Sequence, residues 1–268
     1  MKKWKTVICC GLIFSPLLMQ AQEEKVKIND RIGVEFGYNN SGGEIIVPDR
    51  VRASYSVYGY NDFYNGYPGS DQGLDNLYGG IRYETFFYDN RIGVSAGLRF
   101  SKFSSGMSAG VNQQYFLWLS SQSETTANYL TIRNIKQNNY YLGIPLEFRF
   151  LMRKHDPFFN HYLKLGVAVN CRLLTSNSIA FFDPAMTKYT GSVEEVIGKP
   201  GLFNTFIYPT YGIRLGKMDD IWFNLEYTFP ILLGGKVHSL INPYAGVGVQ
   251  LSVQIPLNKK ISFKHSSL

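Results

Sequence analysis

Eight stretches of period-two alternation, each close to the roughly 9 to 11 residues a tilted strand needs to cross a bilayer, constrain this chain more than any other feature. They are Arg31 to Tyr38, Tyr78 to Tyr88, Arg91 to Ser101, Tyr140 to Leu151, Tyr162 to Arg172, Phe206 to Gly216, Ile221 to Pro230 and Tyr244 to Pro256. Their connections alternate as well. Asp89-Asn90, Met152 to His161 and Lys217 to Asp220 are short, whereas Asn39 to Leu77, Lys102 to Asn139 and Leu173 to Thr205 are long, and Ile231 to Pro243 is intermediate. An even number of such strands, with short turns at one end and long loops at the other, predicts an all-β fold. The expected form is an eight-stranded antiparallel transmembrane up-and-down β-barrel with short periplasmic turns and long extracellular loops.

Alternation alone leaves open which face points outward, and a soluble barrel of lipocalin type gives the opposite answer. The polar phase decides between them. It carries Gly33, Gly37, Gly93, Gly97, Gly143, Gly166, Gly246 and Gly248 among Arg82, Glu84, Arg99, Glu147, Arg149, Asn224, Glu226 and Gln250. Glycine weakens a solvated strand and packs against nothing there, whereas in a narrow interior it makes room for large charged neighbours. The apolar phase then faces lipid, as in Val34 and Phe36, Val94 and Leu98, Leu165 and Val167, or Val249 and Leu251. Aromatics near the strand ends read as two interfacial girdles. Phe87, Tyr88, Phe158, Phe159, Tyr162 and Trp222 lie by the short turns, and Tyr38, Phe100, Phe103, Tyr140, Tyr208 and Phe229 by the long loops.

The N-terminus assigns a compartment. Lys2, Lys3 and Lys5 precede an apolar run from Val7 to Leu18, and Met19-Gln20-Ala21 offers a cleavage site, which is the pattern of a secretory signal peptide. Residues 1–21 are expected to be removed, leaving 22–268 as one barrel domain in which 257–268 form a periplasmic tail or extend the last strand. The expected location is the bacterial outer membrane. Cys9 and Cys10 fall inside the apolar run, so Cys171 is the sole mature cysteine and no internal disulfide can form. The formal charge of +7 includes three leader lysines, and no basic cluster points to nucleic acid. Charged residues make up 18% of the chain, below the roughly 25% of ordinary soluble proteins, while Tyr and Phe number 19 each.

The stretch YYLGIPLEFRFLMRKHDPFFNHYLKLGVAVNCRL, Tyr140 to Leu173, resembles the central hairpin of the PorT-like family of small outer-membrane β-barrel proteins, also described as porin-family domains. Ile144-Pro145-Leu146 matches that family's core, followed by a basic-aromatic strand end, a short turn containing proline and a glycine-bearing return strand. The resemblance implies the barrel fold across most of the mature chain. PorT itself is associated with protein secretion across the outer membrane, a role that a hairpin match does not transfer. Two features depart from a regular barrel: Pro145 implies a bulge in its strand, and the chain continues past Pro256 instead of ending on an aromatic.

Catalytic chemistry has few footholds. Gly93-Val94-Ser95-Ala96-Gly97 is a literal G-x-S-x-G, but a nucleophile elbow needs a turn and a helix after Ser95, and here alternation continues to Ser101. Of the mature histidines His155, His161, His238 and His265, only His238, beside Ser239 in the last loop, is placed to face the surface, where a lone histidine is normally solvated. No metal-ligand spacing and no cofactor motif is present. Glu35, Arg82, Glu84, Arg99, Glu147, Arg149, Lys164, Arg214 and Glu226 share the polar phase and predict a paired charge network filling the lumen. The first long loop, with Tyr55, Tyr58, Tyr60, Phe63, Tyr64 and Tyr67, has the composition of an adaptable recognition surface for a protein partner or a glycan.

The expected function is therefore non-enzymatic: a monomeric barrel in outer-membrane lipid with a structural and interaction role through its surface loops, including assistance to protein secretion or surface assembly. The alternatives are a small-solute channel and an outer-membrane lipid-modifying enzyme.

Overall fold

Each of the eight alternating stretches is a strand in the computed structural model, which describes residues 29–46, 48, 51–53, 73–87, 91–108, 116–119, 129–152, 158–217 and 220–257. The expected leader, the Tyr55 to Tyr67 loop, the Asp89-Asn90 turn and the tail from 258 lie outside the described residues. In chain order the strands are β1 (Asn29–Ile45), β2 (Val51–Ala53), β3 (Gly73–Phe87), β4 (Ile92–Ser108), β5 (Phe116–Leu119), β6 (Tyr129–Leu151) and β7 (Phe159–Phe181). A 3-10 turn (Pro184–Tyr189) and α1 (Thr190–Ile197) follow, then β8 (Phe203–Leu215), β9 (Trp222–Thr228), β10 (Ile231–Gly234) and β11 (Ile241–Pro256).

Antiparallel pairing runs β1 to β3, β3 to β4, β4 to β6, β6 to β7, β7 to β8, β8 to β9, β9 to β11 and β11 back to β1, a closed ring of eight. Closure gives every strand two neighbours and removes the free edges of an open sheet. The two faces are opposite in chemistry: Phe36 is 57% exposed on the outside while its neighbour Glu35 is 5% exposed on the inside. Val34, Ile81, Val94, Leu146, Leu165, Phe223 and Leu251 continue the apolar outer surface around the ring.

Proline is accommodated without a bulge. The β4–β6 register is the same before and after Pro145, with Ala96 opposite Leu146 and Arg99 opposite Gly143, and only the Gly97 and Leu98 positions drop out of the ladder. The expected bulge is thus replaced by a local loss of pairing on the side where Pro145 has no N–H to give. β9 and β10 repeat the same device. Thr228 faces Thr210 and Ile231 faces Ile207 in one continuous register, and the break between the two strands falls at Phe229-Pro230, with Pro209 in the strand opposite.

Two expected long loops are largely folded. β6 and β7 run 23 residues each, well beyond the rest of the wall, and β5 and β2 add to the projecting part of β6. The register of the β6–β7 pair shifts between Ile132 and Asn134 and again at Tyr140/Tyr141, where Leu173 of β7 is the extra residue. Such bulges flip which side chains point inward. α1 packs on the inner face of this projection through Val193 and Ile197, in a cluster with Met107, Ile132, Ile135 and Leu240.

Candidate functional site

Three layers fill the lumen. At the short-turn end Phe86, Leu151, Tyr162 and Trp222 are buried together, with the Phe86 and Trp222 rings edge to face at 5.2 Å. The Arg31 and Arg214 guanidiniums both lie on the Trp222 ring, 3.4 and 4.4 Å from its centre. At the opposite mouth Leu74, Phe103, Tyr141, Ala168, Phe206, Tyr208, Val237 and Ile241 form a second apolar layer, in which Phe103 and Phe206 stack at 5.6 Å.

Between them lies the charge. Glu147 is held by Arg82 at 3.1 Å, Arg99 at 3.2 Å and Lys164 at 3.1 Å. Glu226 pairs with Arg82 and Arg149, each at 3.4 Å, and with Lys164. Glu35 binds Arg99 at 2.6 Å and Arg82 at 3.5 Å, while Glu84 binds Arg149 at 3.0 Å. Four cations thus meet four carboxylates, all with side chains at most 4% exposed, so each costly buried charge has at least one partner of opposite sign. The ninth residue read from the polar phase, Arg214, places its guanidinium over the Trp222 ring.

Neutral groups complete the network. Tyr162 donates to Glu226 at 2.7 Å, Tyr78 donates to Gln250 at 2.9 Å, Gln250 donates to Glu35 at 3.1 Å, and Gln254 donates to Glu84. Tyr78 and Gln254 share the phase of the charged residues, and so does Tyr162, which its position by a short turn assigns to a girdle. Ser95 donates to Glu147 at 3.3 Å, deep in the network, which leaves its hydroxyl a structural donor.

The inside holds more aromatic material than the sequence suggests. Trp222, Tyr162, Phe103 and Tyr208 face the lumen and do not belong to the girdles, because their parity puts them in phase with the charges. Phe87, Phe158, Phe159, Tyr38, Phe100 and Phe229 are exposed on the outer surface and Tyr140 is half-buried, while Tyr88 lies outside the described residues. The interior glycines likewise serve rings as well as charges. A Cβ on Gly37 would stand 2.3 Å from the Tyr78 ring, and one on Gly212 would stand 2.2 Å from the Tyr162 ring.

His238 is neither solvated nor at the surface. The segment Val237 to Ile241 folds into the mouth, where His238 Nε2 donates to the Gln137 carbonyl at 3.0 Å and Nδ1 accepts from the Leu240 N–H at 3.1 Å. The Gln137 side-chain oxygen in turn accepts from the Ser239 N–H at 2.9 Å and from Asn139 at 3.0 Å. Burial lowers the His238 pKa to about 4, with Lys236 adding to the effect against the opposing bond to Gln137. Both ring nitrogens are occupied by backbone, so the imidazole is a latch for the cap and has no lone pair left for a substrate. Among the described residues no three of His, Cys, Asp and Glu gather as metal ligands would.

No family model and no curated protein matches the chain. Among solved structures it is similar to the outer membrane protein OprG from Pseudomonas aeruginosa, at 13% identity and a TM-score of 0.35 over 85% of this chain and 93% of that one. It is also similar to Ail, the attachment invasion locus protein of Yersinia pestis, at 11% identity and a TM-score of 0.31 over 85% of this chain and 97% of that one. At this level of likeness neither protein informs on function.

Proposed function

We propose that the chain is a non-enzymatic barrel of the bacterial outer membrane, a closed anchor that holds a folded projection and surface loops at the cell exterior for interaction with other envelope or surface molecules. The observation that carries this reading is the inversion of the ring: an apolar outer surface around a charged and aromatic interior. A soluble barrel would need the opposite arrangement. The likeness of the Ile144-Pro145-Leu146 hairpin to the PorT-like family agrees with it, as does a leader of secretory pattern. Assistance to secretion or surface assembly, through the Tyr55 to Tyr67 loop toward a protein or a glycan, is the form of interaction we favour.

A solute channel finds less support. The two apolar layers and the ion-pair network between them occupy the axis that a solute would use. A lipid-modifying site finds less still, since Ser95 is bonded to Glu147 and His238 is enclosed by backbone. The test uses purified protein in detergent. A folded barrel migrates on a gel differently before and after boiling and gives no discrete conductance in planar bilayers. Identical migration together with free aqueous solubility would sink the membrane reading, and stepwise conductance would replace the closed anchor with a pore.

A further inference from the structure

Among the described residues, the projecting half of β7 has a strand on one side only. β7 pairs with β8 as far as Cys171 opposite Phe203, and from Leu174 to Phe181 the described pairing is with β6 alone. Two backbone bonds fix which groups point away. The Arg172 N–H donates to Leu202 on the β8 side and the Phe182 N–H donates to Thr131 on the β6 side, with the Leu173 bulge reversing the phase between them. Strand alternation therefore aims the N–H and C=O of Thr175, Asn177, Ile179 and Phe181 away from β6. Exposed edges are normally blunted by lysine, proline or a covering element. This one, Leu173 to Phe182, reads LLTSNSIAFF with no charge, no proline and no glycine, and Leu174, Ser176, Ser178 and Ala180 are exposed along its outer face.

We propose that this edge is a docking site for an extended, uncharged segment of a separate protein, which adds antiparallel to β7 as a further strand of the projection. The proposal rests on the membrane reading above and names the surface through which that interaction runs. The four outward residues, from Thr175 to Phe181, span about 20 Å at the usual strand rise, enough for a segment of about seven residues. An uncharged edge suits an uncharged occupant, because charged side chains on the incoming strand would find no cross-strand counterpart between Arg172 and Asp183. A second upright copy is a poorer fit. In one membrane every copy carries β7 in the same sense, so neighbours can meet only in the weaker parallel pairing.

The experiment titrates full-length protein in micelles with a fluorescein-labelled peptide of alternating threonine and valine, nine residues long, read by anisotropy and by amide exchange. Binding should saturate, and the amides of Thr175, Asn177, Ile179 and Phe181 should exchange quickly alone and slowly with peptide. Thr175→Pro removes an outward N–H while sparing the β6 ladder, and should weaken binding about tenfold or more with the heat-dependent gel shift intact. Methylating alternate peptide nitrogens should abolish binding in one phase and spare it in the other. Silence of the peptide toward a heat-shifting protein, or equal binding by Thr175→Pro, would overturn the proposal. Protection of the four amides without peptide, lost on dilution, would overturn it in favour of a second copy. Loss of the heat-dependent shift in the unaltered protein is a different failure, that of the barrel itself.

Discussion

Gly212 lies directly under the ring of Tyr162 on the neighbouring strand, and the Tyr162 hydroxyl continues to Glu226 at 2.7 Å. The wall glycine, the ring and the buried carboxylate form one stack. Gly212→Ala drives a methyl group to within 2.2 Å of that ring, so the ring must leave its bond to Glu226 or the wall must bend. The expected cost is about 1–3 kcal/mol, the usual range for overpacking, measured as a lower urea midpoint in micelles. Gly191→Ala, with open space at its Cβ, serves as the control and should not lower the midpoint.

Arg82 touches Glu35, Glu147 and Glu226, so its removal leaves charge stranded on several strands at once. Arg82→Met should destabilise the barrel by about 3–5 kcal/mol, as expected when one partner of a buried pair is lost. Arg99→Met combined with Glu35→Leu removes a pair together and should cost much less than Arg99→Met alone. Equal losses for the single and double variants would show that the pairing between them is not what matters.

The cap carries its own pH dependence. His238 is neutral in the folded cap with a pKa of about 4, below its ordinary value near 6.5. Its contribution is therefore complete above pH 6.5 and falls as pH drops toward 4, because the unlatched ring takes up a proton more readily than the latched one. The loss amounts to about 3 kcal/mol across that window. Limited proteolysis within Ile231 to Pro243 should accelerate between pH 6.5 and 4 in the native protein and show no such step in His238→Gln. A step that survives in the variant would move the sensor elsewhere.

The lumen is blocked twice, which makes single openings ineffective. Trp222→Ala thins the layer at the short-turn end and Phe206→Ala the one at the mouth, yet each leaves the other layer and the ion pairs in place. Neither variant should conduct in planar bilayers. A single substitution that yields unitary currents would mean that the central network is not a seal.

The ring and its inside were legible because each wall strand keeps one phase over most of its length, the β1–β11 register shifting only near the mouth at Gly42/Gly43, so a single charged residue such as Arg99 orients its whole strand. The projection was not legible, since the bulges at Arg133 and Leu173 change phase mid-strand and leave Ile132 and Ile135 three apart, a spacing that reads as no strand at all. Trp222 and Tyr162 were misplaced for a different reason. Their position near strand ends suggested a membrane interface, whereas their parity with Asn224 and Lys164 put them inside. Where position and phase disagree, phase wins, because a strand side chain cannot change faces without a bulge. The cap residues His238 and Gln137 carried no sequence signal, as their bonds join segments about a hundred residues apart.

Glu226 on β9 meets Arg82 on β3 across 144 residues of chain, and it meets Lys164 on β7 and Arg149 on β6 at the same time. Their strands, β3, β6, β7 and β9, span six consecutive members of the ring, so a sheet of two or three neighbouring strands cannot bring the four together. On the membrane reading proposed above, a half-assembled wall entering the bilayer would carry bare carboxylates into hydrocarbon, which favours insertion and closure as one event. On that same reading, the charges that look like packing material would also serve as an assembly checkpoint, favouring the finished cylinder over every open intermediate.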